Sequence, residues 1–478
     1  MNSKQILTLL APALFIIILL LPDAFFANPE AKIVLAVAAW MIIWWVSESV
    51  ELPITALLPI ILFPLLGVSK IEEVTKPYSD PIIYLFMGGF VIALALEKWN
   101  LHLRIALNIV RVIGTHADGI ILGFMLATGF LSMWISNTAT TVMMLPIAQS
   151  VVKLMLQNKT TLSKGEANFA LCMMLGVAYA ANIGGIGTLV GTPPNVVMAG
   201  FLSKTYQFEI GFGRWMAIGF PFATVLLLVS FLLMVKVFYP NGLGKFTHSS
   251  ELIDGELQKL GKMQKAEILT LVIFVTTALL WILREYLQQF LPSSIKLHDA
   301  TIAMLATIAF FLTPTGLGKN KFLLHWSDTQ KLPWGILLLF GGGMSLAEAL
   351  SKTGITQIIG IQAAQWGLGN PTLVIAVLSL VALFLTEIMS NVALVTVFMP
   401  VVSGIAIGMG IEPVYLCLPI TIAASCAFML PMGTPPNAIV FASGYIKVSQ
   451  MVKVGFWLNI ISIIILMLLV KLLMPYLF

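Results

Sequence analysis

The stretch "SMWISNTATTVMMLP" at residues 132–146 sets a Ser-Asn pair in the middle of an apolar run, and "TEIMSNVALVTVFMP" at 386–400 does so again. Each run closes on a proline ten residues after the serine of its pair. The apolar arms on either side are roughly 15–18 residues long, which at about 1.5 Å per residue is only about 22–27 Å of helix. A hydrocarbon core is about 30 Å thick. Segments 119–152 and 372–408 therefore read as re-entrant helical hairpins that enter and leave on one side, with their polar tips near the midplane.

The rest of the chain gives these hairpins a membrane to sit in. Its 478 residues are 59% hydrophobic and 10% charged, with mean hydropathy +0.99. A soluble domain carries nearer a quarter charged residues. Apolar segments near 6–21, 33–50, 54–68, 82–97, 171–202, 215–237, 266–284, 300–315, 334–350, 415–443 and 454–475 read as spans. The expected fold is an all-α integral membrane protein with about eleven transmembrane helices plus two re-entrant hairpins. The first segment reads as a spanning helix, since no small-x-small cleavage site follows it. The net charge of +5 is a cytoplasmic-loop signal, not a nucleic-acid one. Cys172, Cys417 and Cys426 lie in apolar runs and form no disulfide framework or metal pair. His102, His116, His248, His298 and His325 are read as lying in polar connections, which leaves no histidine relay in the membrane.

Three landmarks occur twice and in order: "LFMGGF" at 85–90 with "LFGGGM" at 339–344, the two Ser-Asn pairs, and "GTPPN" at 191–195 with its copy at 433–437. Ordered repetition argues for internal duplication. Five crossings separate the span at 82–97 from its mate at 334–350. That odd number faces the halves in opposite directions, an inverted-topology repeat. With the N-terminus inside, 17 lysines and arginines fall on the cytoplasmic side and 9 outside, as the positive-inside rule requires. The expected parts are N-terminal, mostly scaffold spans at 1–81, a first repeat at 82–237, a cytoplasmic linker at 238–265, further scaffold spans at 266–333, and a second repeat with the final span at 334–478.

Two prolines after Gly-Thr unwind a helix. In lipid this is tolerated where the freed backbone lines a cavity. The breaks within 171–202 and 415–443 expose carbonyls for a small hard cation, and a helix N-terminus for an anion. Ser hydroxyl and Asn carbonyl oxygens suit an alkali cation better than a transition metal. Inversion sets each tip against the broken helix of its own half, giving two oxygen sites that flank one anion site. Glu387, whose first-half mate is Met133, reads as a structural carboxylate in preference to a proton carrier. Glu48, Glu51, Glu97 and Glu348 read as interfacial. An intramembrane hydrolase lacks its base and metal here, so no enzyme is expected. Matched halves favour alternating access over a channel.

The paired tips, the paired GTPPN breaks and "SCAFMLPMGTPPNAIVF" at 425–441 resemble the divalent anion/sodium symporters, the sodium-coupled dicarboxylate and citrate transporters. The resemblance implies a homodimer in membrane lipid and an elevator motion of a transport domain against a scaffold. It implies one sodium site at Ser132, Ser136, Asn137 and Gly191, and another at Thr386, Met389, Asn391 and Gly433. Dicarboxylate contacts would fall to Asn137, Thr138, Thr192, Ser390, Asn391, Thr434 and Pro435. Val392 departs from the family pattern, where threonine often stands, and removes a side-chain donor. The expected activity is sodium-coupled symport of C4-dicarboxylates such as succinate, malate and fumarate across the cytoplasmic membrane, with sodium as coupling ion and no cofactor. A sodium-independent di- or tricarboxylate exchanger and a sulfate transporter of the same fold remain open.

Overall fold

The computed structural model describes residues 3–113, 116–155, 162–244, 249–292, 294–317, 320–365 and 370–478. Among them, eight helices are long and apolar enough to cross a membrane, and several shorter apolar helices accompany them. The chain is an integral membrane protein of nearly all-helical structure. Its one sheet among the described residues is a two-stranded ribbon, β1 (Pro314–Leu317) with β2 (Asn320–Phe322), which begins at the end of the span read at 300–315.

The chain opens with α1 (Ser3–Leu20) packed against α2 (Pro29–Ser47). Asn28 accepts from the Ala31 amide and Pro29 occupies the first turn, so α2 starts sharply. The single span expected over 54–68 is instead two short helices, α3 (Leu52–Thr55) and α4 (Leu58–Leu65). Pro53 and Pro59 each sit in a first helical turn and supply no backbone donor, so the helix restarts between them. The Tyr78 hydroxyl takes the freed Ala56 carbonyl. After α5 (Ile71–Thr75), Asp80 caps α6 (Pro81–Lys98). The loop expected over 98–118 holds an amphipathic helix, α7 (Leu101–Ile113), with Leu101, Ala106, Leu107 and Val110 buried. His102 is buried there too, bonded to the Leu96 carbonyl at 2.7 Å, which corrects its placement in a polar connection. His116, His298 and His325 do flank helices, and His248 lies outside the described residues.

The first hairpin is α8 (Ala117–Ser132) and α9 (Asn137–Met155). The first broken helix is α10 (Lys164–Ile186) and α11 (Pro193–Tyr206). A Ser163–Glu166 capping box starts α10, and every residue from Phe169 to Ile186 is buried, as a helix apolar on all sides requires. Gly129 and Gly184 let α8 and α10 touch backbone to backbone, since a Cβ at Gly184 would run into the Gly129 carbonyl. Then follow α12 (Phe212–Leu232), the surface linker helix α13 (Ser249–Lys259), α14 (Lys265–Gln288), α15 (Asp299–Leu312), α16 (Trp334–Lys352) and α17 (Ile355–Gln365). The second hairpin is α18 (Pro371–Leu385) and α19 (Asn391–Gly408), and the second broken helix is α20 (Val414–Ala424) and α21 (Pro435–Phe441). The chain closes with α22 (Val448–Leu477). The four hairpin arms have 16, 19, 15 and 18 residues. At about 1.5 Å per residue these are about 22–29 Å against a core of about 30 Å, and α19 is the one arm among the eight helices long and apolar enough to cross.

Candidate functional site

Each hairpin tip seats its polar residues on the broken helix beside it. At the first tip the Ser132 hydroxyl oxygen lies 2.6 Å from Asn137 Oδ1 and 2.7 Å from the Ala181 carbonyl. At the second, the Thr386 hydroxyl oxygen lies 2.6 Å from Asn391 Oδ1 and 2.6 Å from the Ala424 carbonyl. In each triplet three oxygens converge on one hydroxyl proton. That proton satisfies one acceptor, so each cluster is rich in neutral, hard oxygen, the donor set of an alkali cation. Ser132 and Thr386 are fully buried behind the tips.

The breaks are built alike. The asparagine that ends each GTPPN folds its amide back over the unwound turn. Asn195 Nδ2 donates to the Gly185 carbonyl at 3.3 Å and to that of Thr188 at 2.9 Å. Asn437 Nδ2 donates to the carbonyls of Ala427 at 3.0 Å and Leu430 at 3.1 Å. All three residue pairs are separated by the same 242 positions. The GTPPN motif thus supplies its own repair: two prolines open the helix and the next residue occupies the carbonyls. Those four carbonyls are engaged, which narrows the expectation that the breaks offer free carbonyl oxygens to a cation. Asn195 and Asn437 were legible as repeated residues, yet the prolines beside them drew the reading.

The halves differ at Glu387. The second break spans 425–434 and the first only 187–192, so more backbone N–H groups need acceptors in the second half. Glu387 accepts from the amides of Phe428 (2.8 Å), Met429 (2.9 and 3.1 Å) and Leu430 (3.1 Å), and from Asn459 Nδ2 (2.8 Å). These contacts are the ones a structural carboxylate would make. Its mate Met133 offers only its backbone carbonyl, to the Thr188 hydroxyl.

Both tips and both breaks line one cavity of about 780 Å³. Ser136, Asn137, Thr138, Gly191, Thr192, Met389, Ser390, Asn391, Gly433, Thr434 and Pro435 all face it, and only Ser132 and Thr386 of the expected site residues do not. Ser136 Oγ also accepts the Ala139 amide at the start of α9. Thr434 Oγ1 caps α21, whereas Thr192 makes no side-chain cap. A Cβ at Gly191 would meet the Gly185 carbonyl, so only glycine lets that turn close. Val392 stands on the cavity wall opposite in kind to Thr138. Among the described residues, Glu48 is the one acidic or basic side chain on the wall. Asn182 and Trp134 also line the cavity, and neither belongs to the repeated pattern that marked the other residues.

These features define a helical membrane protein with a binding cavity assembled from two hairpin tips and two broken helices. The chain matches the family described as the sodium:sulfate symporter transmembrane region over residues 3–478, and it belongs to that family. It is 39% identical to the sodium-dependent dicarboxylate transporter SdcS of Staphylococcus saprophyticus over 478 residues, covering 99% of this chain and 92% of that one. It is 40% identical to SdcS of Staphylococcus aureus strain USA300 over 475 residues, covering 98% and 90%. Its fold resembles Neisseria gonorrhoeae MtrF (TM-score 0.58, 14% identity, 86% of this chain and 84% of that one). It also resembles Alcanivorax borkumensis YdaH (TM-score 0.57, 14% identity, 86% and 87%).

Proposed function

We propose that this protein is a secondary transporter that couples inward sodium movement to uptake of C4-dicarboxylates such as succinate, malate and fumarate across the cytoplasmic membrane. The observation that carries the reading is the duplicated oxygen triplet, Ser132–Asn137–Ala181 and Thr386–Asn391–Ala424, on either side of a cavity without lysine or arginine on its wall among the described residues. A dianion there needs positive charge that the wall does not supply. Two bound sodium ions provide it, which makes anion binding depend on cation binding. The names of the SdcS relatives support the same cargo.

In this reading the first ion is held by Ser132, Ser136, Asn137 and Gly191, and the second by Thr386, Met389, Asn391 and Gly433. Asn137, Thr138, Thr192, Ser390, Asn391, Thr434 and Pro435 contact the dicarboxylate. The chain makes eleven spans and two hairpins in inverted repeats, and works as a homodimer. Repeats 82–237 and 334–478 carry the moving parts, and 1–81 and 266–333 the scaffold.

The test is labelled succinate uptake into proteoliposomes under an inward sodium gradient, against choline, with and without internal succinate. Sodium-dependent accumulation without internal substrate is expected, and Asn137→Ala or Asn391→Ala abolishes it in folded protein. Uptake that ignores sodium and requires internal dicarboxylate would make the protein an exchanger. Competition by sulfate but not by fumarate would move the cargo to sulfate.

A further inference from the structure

Asn182 sits on α10, one residue past the Ala181 carbonyl of the first oxygen triplet, and is 1% exposed. Its amide orientation is dictated by its neighbours. Asn437 spends both Nδ2 protons on the Ala427 and Leu430 carbonyls, so its Oδ1 faces Asn182 and requires a donor. Asn182 therefore presents Nδ2, which reaches Asn437 Oδ1 at 3.1 Å and Thr434 Oγ1 at 2.9 Å. Asn182 Oδ1 points away and meets no donor among the described residues. Thr434 Oγ1 accepts from Asn182 and, as the α21 cap, from the Asn437 amide at 3.4 Å. With both acceptor directions engaged, its own proton is left for the cavity that Thr434 lines.

This bridge occurs once. The repeat places Ser425 where Asn182 would recur, since the Ala181 and Ala424 carbonyls are mates, and Ser425 turns its hydroxyl to the Thr421 carbonyl. Thr192, the mate of Thr434, makes no side-chain cap. One turn before Asn182, the Tyr179 hydroxyl donates to the Phe428 carbonyl at 2.8 Å, so the same face of α10 grips the second break at two points.

We propose that Asn182 is a positioning residue that ties the two half-sites together: it holds the Thr434 hydroxyl as a donor to the substrate carboxylate and joins that donor, through α10, to the first-half cation cluster. The assignment rests on the functional reading above and adds to it a residue outside the expected sodium and dicarboxylate sets.

The experiment is a double-mutant cycle of Asn182→Ala and Thr434→Ala in purified, reconstituted protein, with folded protein scored by gel filtration. Readouts are the succinate KM, Vmax and the Hill coefficient for sodium. Asn182→Ala is expected to raise KM about tenfold, the scale of one hydrogen bond to a charged group, and to lower the sodium Hill coefficient toward one. In the Thr434→Ala background it should change KM less than about twofold, because its effect runs through Thr434. Asn182→Asp keeps the volume but draws the Thr434 proton to itself, and KM should rise at least as much. Additive effects on KM in the cycle, or unchanged KM and Hill coefficient in folded Asn182→Ala, overturn the assignment and leave the functional reading standing. A wild type without sodium-dependent succinate uptake overturns the functional reading, and this assignment with it.

Discussion

At the residue scale, one carboxylate separates two mechanisms. Glu387 is nearly fully buried and surrounded only by donors: three backbone amides and the Asn459 amide. Such a group serves as an acceptor for an unwound turn. Glu387→Gln keeps its shape but aims an NH2 at backbone N–H groups, so we expect destabilisation of about 2–3 kcal/mol, measured as a lower unfolding midpoint in detergent. The pH profile of sodium-driven uptake by the surviving protein should match wild type. A profile that loses a titration step would make Glu387 a proton carrier. The expectation was legible because the carboxylate appears in one half only, whereas the oxygen triplets occur in both. Asn182 was not legible for the converse reason. Its partners, Thr434 and Asn437, lie more than 250 positions away, and no period or motif links them.

At the element scale, apolar run length and proline placement were enough to mark both hairpins and both breaks, because helix length against bilayer thickness is a one-dimensional quantity. The interruption at Ala56 was missed since prolines at 53 and 59 are also compatible with one kinked helix. The α7 helix was missed because its charged face resembles a loop. Helix crossings were invisible for a different reason: glycines mark a close approach only once the partner is known. A Cβ at Gly184 meets the Gly129 backbone, and one at Gly360 comes within 2.7 Å of the Gly404 carbonyl. Overpacking of this kind costs about 1–3 kcal/mol. Gly184→Ala should therefore lower the unfolding midpoint and the uptake rate together, since α8 carries the first tip. Gly255→Ala in α13 is the matched control, with nothing within 4 Å of the new methyl. It should leave the midpoint unchanged or raise it, as replacing a helix-interior glycine is worth roughly 0.5–1 kcal/mol. Equal losses in both variants would mean that glycine content, and not the α8–α10 contact, sets stability.

At the scale of the whole molecule, the buried apolar residues fall into two clusters. The smaller gathers α2 and α4 with one face of α16, and the larger holds both broken helices and most of both hairpins. Phe274 and Trp281 of α14 and Ile302 and Phe310 of α15 fall in the larger cluster with Phe212 and Trp215 of α12, so the clusters do not follow the proposed boundary between scaffold and repeats, and motion at that boundary would divide the larger core. The contact to test joins α12, in the first repeat, to α14, in the expected scaffold: a Cβ at Gly213 would lie 3.0 Å from the Ile282 carbonyl. That Cβ would also lie 3.8 Å from the Ile282 Cα, which makes the pair a candidate for a crosslink. Cys172, Cys417 and Cys426 are free and buried, so mild oxidation should spare them. In the Gly213→Cys, Ile282→Cys double variant, oxidation should stop sodium-driven uptake and reduction should restore it, while sodium-dependent succinate binding to the arrested protein persists. Uptake at the wild-type rate in fully crosslinked protein would show that α12 and α14 travel together. The sliding boundary would then have to lie elsewhere, between the α2–α4–α16 cluster and the rest of the chain.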